Sequence, residues 1–167
     1  MNTTRRDLIT DAINQLRPVH GYSSVPVNLI LAQSALETGY WDSNLIATHN
    51  NAFGMMHPVQ RPTTSAGAVS AGFASYADLC NSVEDYLLRQ KYFNIPNTAD
   101  PVTYVRATVN SGYATDPAYA DKWLTIYSQM QGSTLPPGYN PPAQGNNQNT
   151  VILLGLAAFA AYYLTRK

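Results

Sequence analysis

Glu37 closes the apolar run PVNLILAQSALET and is followed by Gly39, Tyr40, Trp41, His49, Asn50 and Asn51 in the stretch ALETGYWDSNLIATHNN. A lone carboxylate in that company has a restricted chemistry. If the run is a helix stopped at Gly39, Glu37 lies in its last turn, where free carbonyls and the macrodipole disfavour negative charge. Leu36, Tyr40 and Trp41 add desolvation, and both effects raise a carboxyl pKa toward neutrality. A carboxyl that keeps its proton near neutral pH is a general acid. Position alone fits a solvated carboxylate at a fraying helix end at least as well. His49 and His57 could join Glu37 around a metal, but their spacing matches no zinc pattern and the chain has no HExxH helix. Neither metal nor cofactor is expected.

Several helices must hold this carboxyl in place. TTRRDLITDAINQLR sets Leu8, Ile9, Ala12, Ile13 and Leu16 on one face, with Thr3 or Thr4 as cap and Pro18 as stop. The next helix begins near Ser24 and Pro26 and turns Leu29, Ala32 and Leu36 inward. Between Asp78 and Phe93, Leu79, Val83, Tyr86 and Leu87 predict a third. DPVTYVRATVNSG and DPAYADKWLTIYSQM each open with Asp as cap and Pro in the first turn. Val102, Val105 and Val109, then Ala120, Trp123, Leu124 and Tyr127, keep helical spacing. Residues 57 to 76, rich in Pro, Thr, Ser and Gly, read as a loop with a short β-hairpin, placed as a flap over a cleft.

The chain has 167 residues, 45% hydrophobic and 12% charged, with zero formal charge. That suits one modest domain with an appendage, and gives no electrostatic footprint for nucleic acid. Twelve tyrosines are many for this length, but such rings serve sugar faces, membrane interfaces and packed cores alike. Cys80 is the single cysteine, so neither an intrachain disulfide nor a thiolate metal cluster is available. Residues 1 to 131 read as the folded unit. Residues 132 to 150, GSTLPPGYNPPAQGNNQNT, read as a Pro/Gly/Asn-rich linker that could reach roughly 60 Å if extended.

From Val151 to Leu164 the chain is uninterruptedly apolar, and Arg166 and Lys167 follow. With its flanking threonines this run spans about 24 Å as a helix, and its terminal tyrosines and cations suit an interface. Residues 151 to 167 are therefore expected to be a C-terminal transmembrane anchor, meeting lipid through residues 151 to 165. A terminal helix buried against a partner protein is the alternative. The start, MNTTRRDLITDAINQL, lacks the apolar region of a secretory signal.

The motifs ILAQSALETGYW, NNAFGM, FASYADLCNSVEDYL and GYATDPAYADKW, in that order, resemble the successive signatures of the glycoside hydrolase family 73 glucosaminidases. The resemblance covers about residues 5 to 130. It implies a mainly α, lysozyme-like domain with a hairpin beside the cleft, cleaving the β-1,4 bond after N-acetylglucosamine in peptidoglycan. Carried over motif by motif, Glu37 is the catalytic acid and Tyr113 of GYATDP the active-site tyrosine. Asn50, Asn51, Phe53 and Gly54 are expected to line the cleft, with Trp41, Tyr76 and Tyr86 also against substrate, although Tyr76, Asp78 and Tyr86 fit a structural role as readily. Where many members continue with Ile and Lys after NNLFG, this chain has Met55 and Met56.

Many members also carry a second acidic residue on the hairpin, but residues 55 to 75 contain no Asp or Glu. A scheme with two carboxylates cannot draw on that flap, although Asp42 or Asp78 could approach from elsewhere. Assistance by the substrate's acetamido group, with Glu37 as acid and then base, is the favoured route. A lytic transglycosylase mechanism helped by Tyr113 is the other. A catalytically inactive wall-binding or structural module is the reading from a different class. Without a signal peptide and with an anchor, the arrangement best suits the membrane of a lipid-containing phage virion, with capsid or other virion proteins as further partners. A bacterial membrane or a phage lysis enzyme released to the wall is the alternative.

Overall fold

The structure, a computed structural model, describes residues 2–132. Six helices and one small hairpin make up the domain: α1 Thr3–Val19, α2 Val27–Thr38, α3 Asn44–His49, β1 Gly67–Ala68, β2 Ala74–Ser75, α4 Leu79–Tyr92, α5 Pro101–Asn110 and α6 Tyr119–Met130. The fold is mainly helical with a two-stranded antiparallel sheet, in register Gly67 with Ser75 and Ala68 with Ala74. The expected linker and anchor lie outside the described residues. Among the described residues no helix is long and apolar enough to cross a membrane.

Helix α2 is the axis of the domain. Every residue from Leu29 to Ala35 is buried, so the helix has no solvent face along that stretch. This exceeds the expected inward stripe of Leu29, Ala32 and Leu36, because helices pack on α2 from two sides. Helix α6 lies along it, tied by the Trp123 indole donating to the Leu29 carbonyl at 2.7 Å. Helix α1 packs on α2 and on α4, burying Ile9, Ala12 and Ile13. Leu8, expected on that face, is 54% exposed.

The helix boundaries follow local chemistry. Asp78 accepts from the Asn81 amide, and Asp100 from those of Val102 and Thr103, as capping residues should. At α1 the cap is Asn2, accepting from the Arg5 amide, in place of Thr3 or Thr4. Pro18 falls inside the last turn and the helix runs on to Val19. Asp116 caps a turn before α6: it accepts from the Ala118 amide, and the helix begins only at Tyr119. Helix α3 is a single short piece that the apolar pattern does not reveal.

After Thr38 the chain makes an unusual turn. Gly39, Tyr40 and Trp41 all have left-handed φ, at 57°, 58° and 66°. Tyr and Trp each meet a steric cost there of about 1–2 kcal/mol. The turn is held from inside and outside. Thr38 Oγ1 accepts from the Trp41 amide and the Trp41 indole donates to Ser34 Oγ. From the start of α1, the backbone N–H of the capping Asn2 donates to the Tyr40 carbonyl and Arg5 to that of Trp41.

The hairpin segment is pinned by a buried ion pair. Arg61 makes a two-pronged contact with Asp85 of α4 at 2.6 and 3.0 Å, and Tyr76 donates to the same carboxylate at 2.7 Å. The Arg61 and Asp85 side chains are 7% and 0% exposed. Removing one partner of such a pair strands a buried charge, a loss of about 3–5 kcal/mol. Asp85→Ala should therefore lower the unfolding free energy by about that much in urea titrations, and Tyr76→Phe by about 1 kcal/mol. A double Arg61→Met, Asp85→Leu variant should lose less than Asp85→Ala alone; an equal loss would refute the charge argument.

Candidate active site

Glu37 is the penultimate residue of α2, one turn after Gln33 on the same face. Its Oε1 accepts a hydrogen bond from the Tyr119 hydroxyl at the start of α6. That hydroxyl in turn accepts from Gln33 Nε2 at 3.1 Å. On the other side lies Gly54, with φ +60°, where an added Cβ would stand 2.7 Å from Glu37 Oε2. The carboxyl is thus held between a phenol and a bare stretch of backbone.

These surroundings set its chemistry. Burial pushes the Glu37 carboxyl up to about 7, with the Tyr119 hydrogen bond pulling the other way. The residue nonetheless keeps part of its surface in solvent. A carboxyl crowded by protein and raised into the neutral range can give or take a proton near neutral pH.

Tyr113, in the connection between α5 and α6, stands beside Tyr119 with ring centroids 5.9 Å apart. Its hydroxyl donates to the Phe53 carbonyl at 2.6 Å. The Arg89 guanidinium carbon sits 4.6 Å from the Tyr113 ring centre and 4.6 Å from that of Phe93. Burial, followed by the charge of Glu37, raises the Tyr113 hydroxyl well above its ordinary value, so it stays a neutral donor. That donor is directed at backbone, and the residue is 4% exposed. Tyr113 fixes the turn that carries Gly54.

Asn51 does the same from within. Its Nδ2 donates to the carbonyls of Met55 and Ala74, and its Oδ1 accepts from the Met55 amide at 3.0 Å. It is fully buried, so the expected amide contact to a sugar is replaced by a strut joining the NNAFG turn to the hairpin. Four other expected substrate contacts are also core residues. The Phe53 ring stacks on Tyr86 at 4.3 Å, and both are wholly buried. Tyr86 shares a hydroxyl network with Tyr104 and Gln90. Trp41 is spent on Ser34, and Tyr76 on Asp85. Asn50 is partly exposed, but its Nδ2 donates to the carbonyls of Tyr76 and Ala77. Of the expected set, Gly54 is the residue placed directly against Glu37.

Tyr119 and Gln33 are the site residues that sequence reasoning passed over. The four-residue spacing of Gln33 and Glu37 on one helix was a usable signal for Gln33. For Tyr119 the signal lay in its being the first residue of a helix that follows GYATDP. No group of His, Cys, Asp and Glu able to hold a metal occurs among the described residues.

Comparison with known proteins gives this geometry a context. The sequence profile described as glucosaminidase, mannosyl-glycoprotein endo-beta-N-acetylglucosaminidase, matches residues 15–132. The chain is 33% identical over 130 residues to the peptidoglycan hydrolase FlgJ of Escherichia coli (strain K12), a match covering 65% of this chain and 41% of that protein. It therefore spans about two fifths of the length of that relative. The fold is shared with a type VI secretion system effector–immunity complex from Pseudomonas protegens, at TM-score 0.58 and 21% identity over 77% of this chain and 92% of that one. It is shared too with a C-terminally truncated glycoside hydrolase domain of Salmonella typhimurium FlgJ, at TM-score 0.51 and 24% identity over 78% and 96%. With its motifs in order and most of its length matched by the profile, the chain belongs to the glucosaminidase family, glycoside hydrolase family 73.

Proposed function

We propose that the domain cleaves the β-1,4 bond after N-acetylglucosamine in peptidoglycan strands, with Glu37 as the general acid. The observation that carries this reading is the Glu37 carboxyl, raised to about 7 between Tyr119 and Gly54. Family membership and the peptidoglycan hydrolase among the relatives support it.

The chemistry follows from having one such carboxyl. Residues 55 to 75 carry no Asp or Glu. Asp85 is committed to Arg61 and Tyr76, and Asp116 to Lys122. The substrate's own acetamido oxygen then serves as nucleophile: it bonds to the sugar's C1 as the glycosidic bond breaks, and Glu37 gives its proton to the leaving oxygen. In the second step Glu37 takes a proton from water as that water attacks C1 and the acetamido group leaves. A neutral-range pKa suits both halves. The apolar segment from Val151 to Leu164 would tether the enzyme to a membrane, and flotation with lipid that is lost on adding detergent tests this.

A module that grips wall without cutting it is the second reading, favoured by the hairpin's lack of a carboxylate. Digestion of purified peptidoglycan separates the two. Mass spectrometry should find reducing N-acetylglucosamine ends, lost by roughly 10³-fold in Glu37→Gln. Anhydro-muramic ends would replace the acetamido route with transglycosylation, and no released ends would leave the binding module. Because the acid must be protonated, kcat/KM should fall about tenfold per pH unit above pH 7.

Gly54→Ala should cut turnover by roughly 10–100-fold, since the new methyl meets Oε2 and the φ is left-handed. Unimpaired turnover would show that the contact does not set the carboxyl's position. Stability carries its own signature. Glu37 has an ordinary pKa of 4.5, expected when unfolded, and about 7 when folded, so the folded state binds its proton more tightly. Its stabilising share is complete below pH 4.5 and is lost as pH rises through 7. Relative to wild type, Glu37→Gln should therefore gain melting temperature between pH 4 and pH 8; a constant difference would refute the burial.

A further inference from the structure

A tyrosine hydroxyl has one hydrogen to give, and the amide nitrogen of glutamine can only donate. With Gln33 Nε2 facing Tyr119, these two facts set the direction of the chain running from Gln33 through Tyr119 to Glu37. Gln33 Nε2 donates to the Tyr119 oxygen at 3.1 Å, so the single Tyr119 hydrogen is committed to Glu37 Oε1. Turning the Gln33 amide over would set its carbonyl oxygen against the Tyr119 hydroxyl and draw that hydrogen away from Glu37. Gln33 is fully buried. When Glu37 takes up a proton, Oε1 is therefore already occupied as an acceptor.

We infer that Gln33 and Tyr119 form an orienting pair that keeps the transferable proton of Glu37 on Oε2, the oxygen beside Gly54. Gln33 is a positioning residue in this scheme, acting through Tyr119. The inference deepens the hydrolase reading and rests on it for its purpose, since a proton held on Oε1 would point into α6 instead of toward the side where backbone is bare. It also explains why α2 carries an amide on a fully buried face.

The remaining groups near the carboxyl come from neighbouring elements. Tyr119 belongs to α6 and Tyr113 to the α5–α6 connection, while Arg89 of α4 lies against the Tyr113 ring. Tyr113 and Tyr119 are both held neutral by burial first and the Glu37 charge second. The chain contains two glutamates, Glu37 and Glu84. Selective labelling at the glutamate carboxyl carbon thus gives two NMR signals, and Glu37→Gln assigns them.

In the full-length protein, Glu37 should titrate near 7. Tyr119→Phe removes a hydrogen bond to the charged form and should move the midpoint up by about one pH unit. Gln33→Met should move it in the same direction by less, because Tyr119 loses the donor that polarises it. Gln33 Oε1 accepts no hydrogen bond among the described residues, so this change strands no donor. Gln33→Asn, too short to reach Tyr119, is the second variant and should shift the midpoint likewise. An unmoved midpoint in either folded Gln33 variant overturns the pair, as does an unmoved midpoint in Tyr119→Phe. The pH limb of kcat/KM on peptidoglycan should follow the NMR midpoints. Shifted midpoints in a protein that releases no sugar ends would sink the hydrolase reading and leave the pair standing.

Discussion

The Glu37 carboxyl is held on Oε1 by the phenol of Tyr119, with Gly54 leaving just enough room beside Oε2, and most of the domain can be read as support for that arrangement. Helix α2 must not rotate, and it is buried along a run of seven residues so that no rotation is free of cost. Helix α6 must not slide, and the bond from Trp123 to the Leu29 carbonyl fixes its height on α2. The NNAFG turn must not lift, and Asn51 from within and Tyr113 from above bind its carbonyls and amides. Each strut is a directional hydrogen bond inside a packed interior, where such bonds are strongest and their loss most damaging.

Tyrosine does much of this work. Six of the nine among the described residues, at positions 22, 76, 86, 104, 113 and 119, are buried. Each combines a ring that fills volume with a hydroxyl that meets a chosen polar partner. Tyr22 reaches the Ile95 carbonyl, Tyr76 reaches Asp85, and Tyr86 and Tyr104 meet around Gln90. Phenylalanine in these places would fill the space and leave those partners short of a hydrogen bond. A core built this way gives the carboxyl an environment of low polarity that still contains a well-aimed donor.

The sequence displayed the helices because their apolar spacing and caps are local signals. Asp78, Asp100 and Gly39 stand where cap chemistry requires them. It misplaced the start of α6 because an Asp-Pro pair opens a capped turn as readily as a helix, and tertiary packing decides which. It displayed Glu37 and Gly54, whose roles follow from position in a helix end and a turn. It did not reveal that Asn51, Phe53, Tyr76 and Tyr86 face inward, because a motif records which residues occur together and is silent on which face of the chain meets solvent. The pairing of Arg61 with Asp85 and of Tyr119 with Glu37 joins residues 24 and 82 positions apart. No periodicity within one element carries such information.

The left-handed turn at Gly39, Tyr40 and Trp41 ends α2, and two of the hydrogen bonds that restrain it come from Asn2 and Arg5 at the start of the described residues. Asn2 caps that helix with its side chain while its amide holds the Tyr40 carbonyl. Asn2 and Arg5 are therefore tie-rods of the Glu37 site. A purification tag, or a neighbouring domain fused without a spacer at this point, would load the same tie-rods. Such fusions are better borne at the far end of α6.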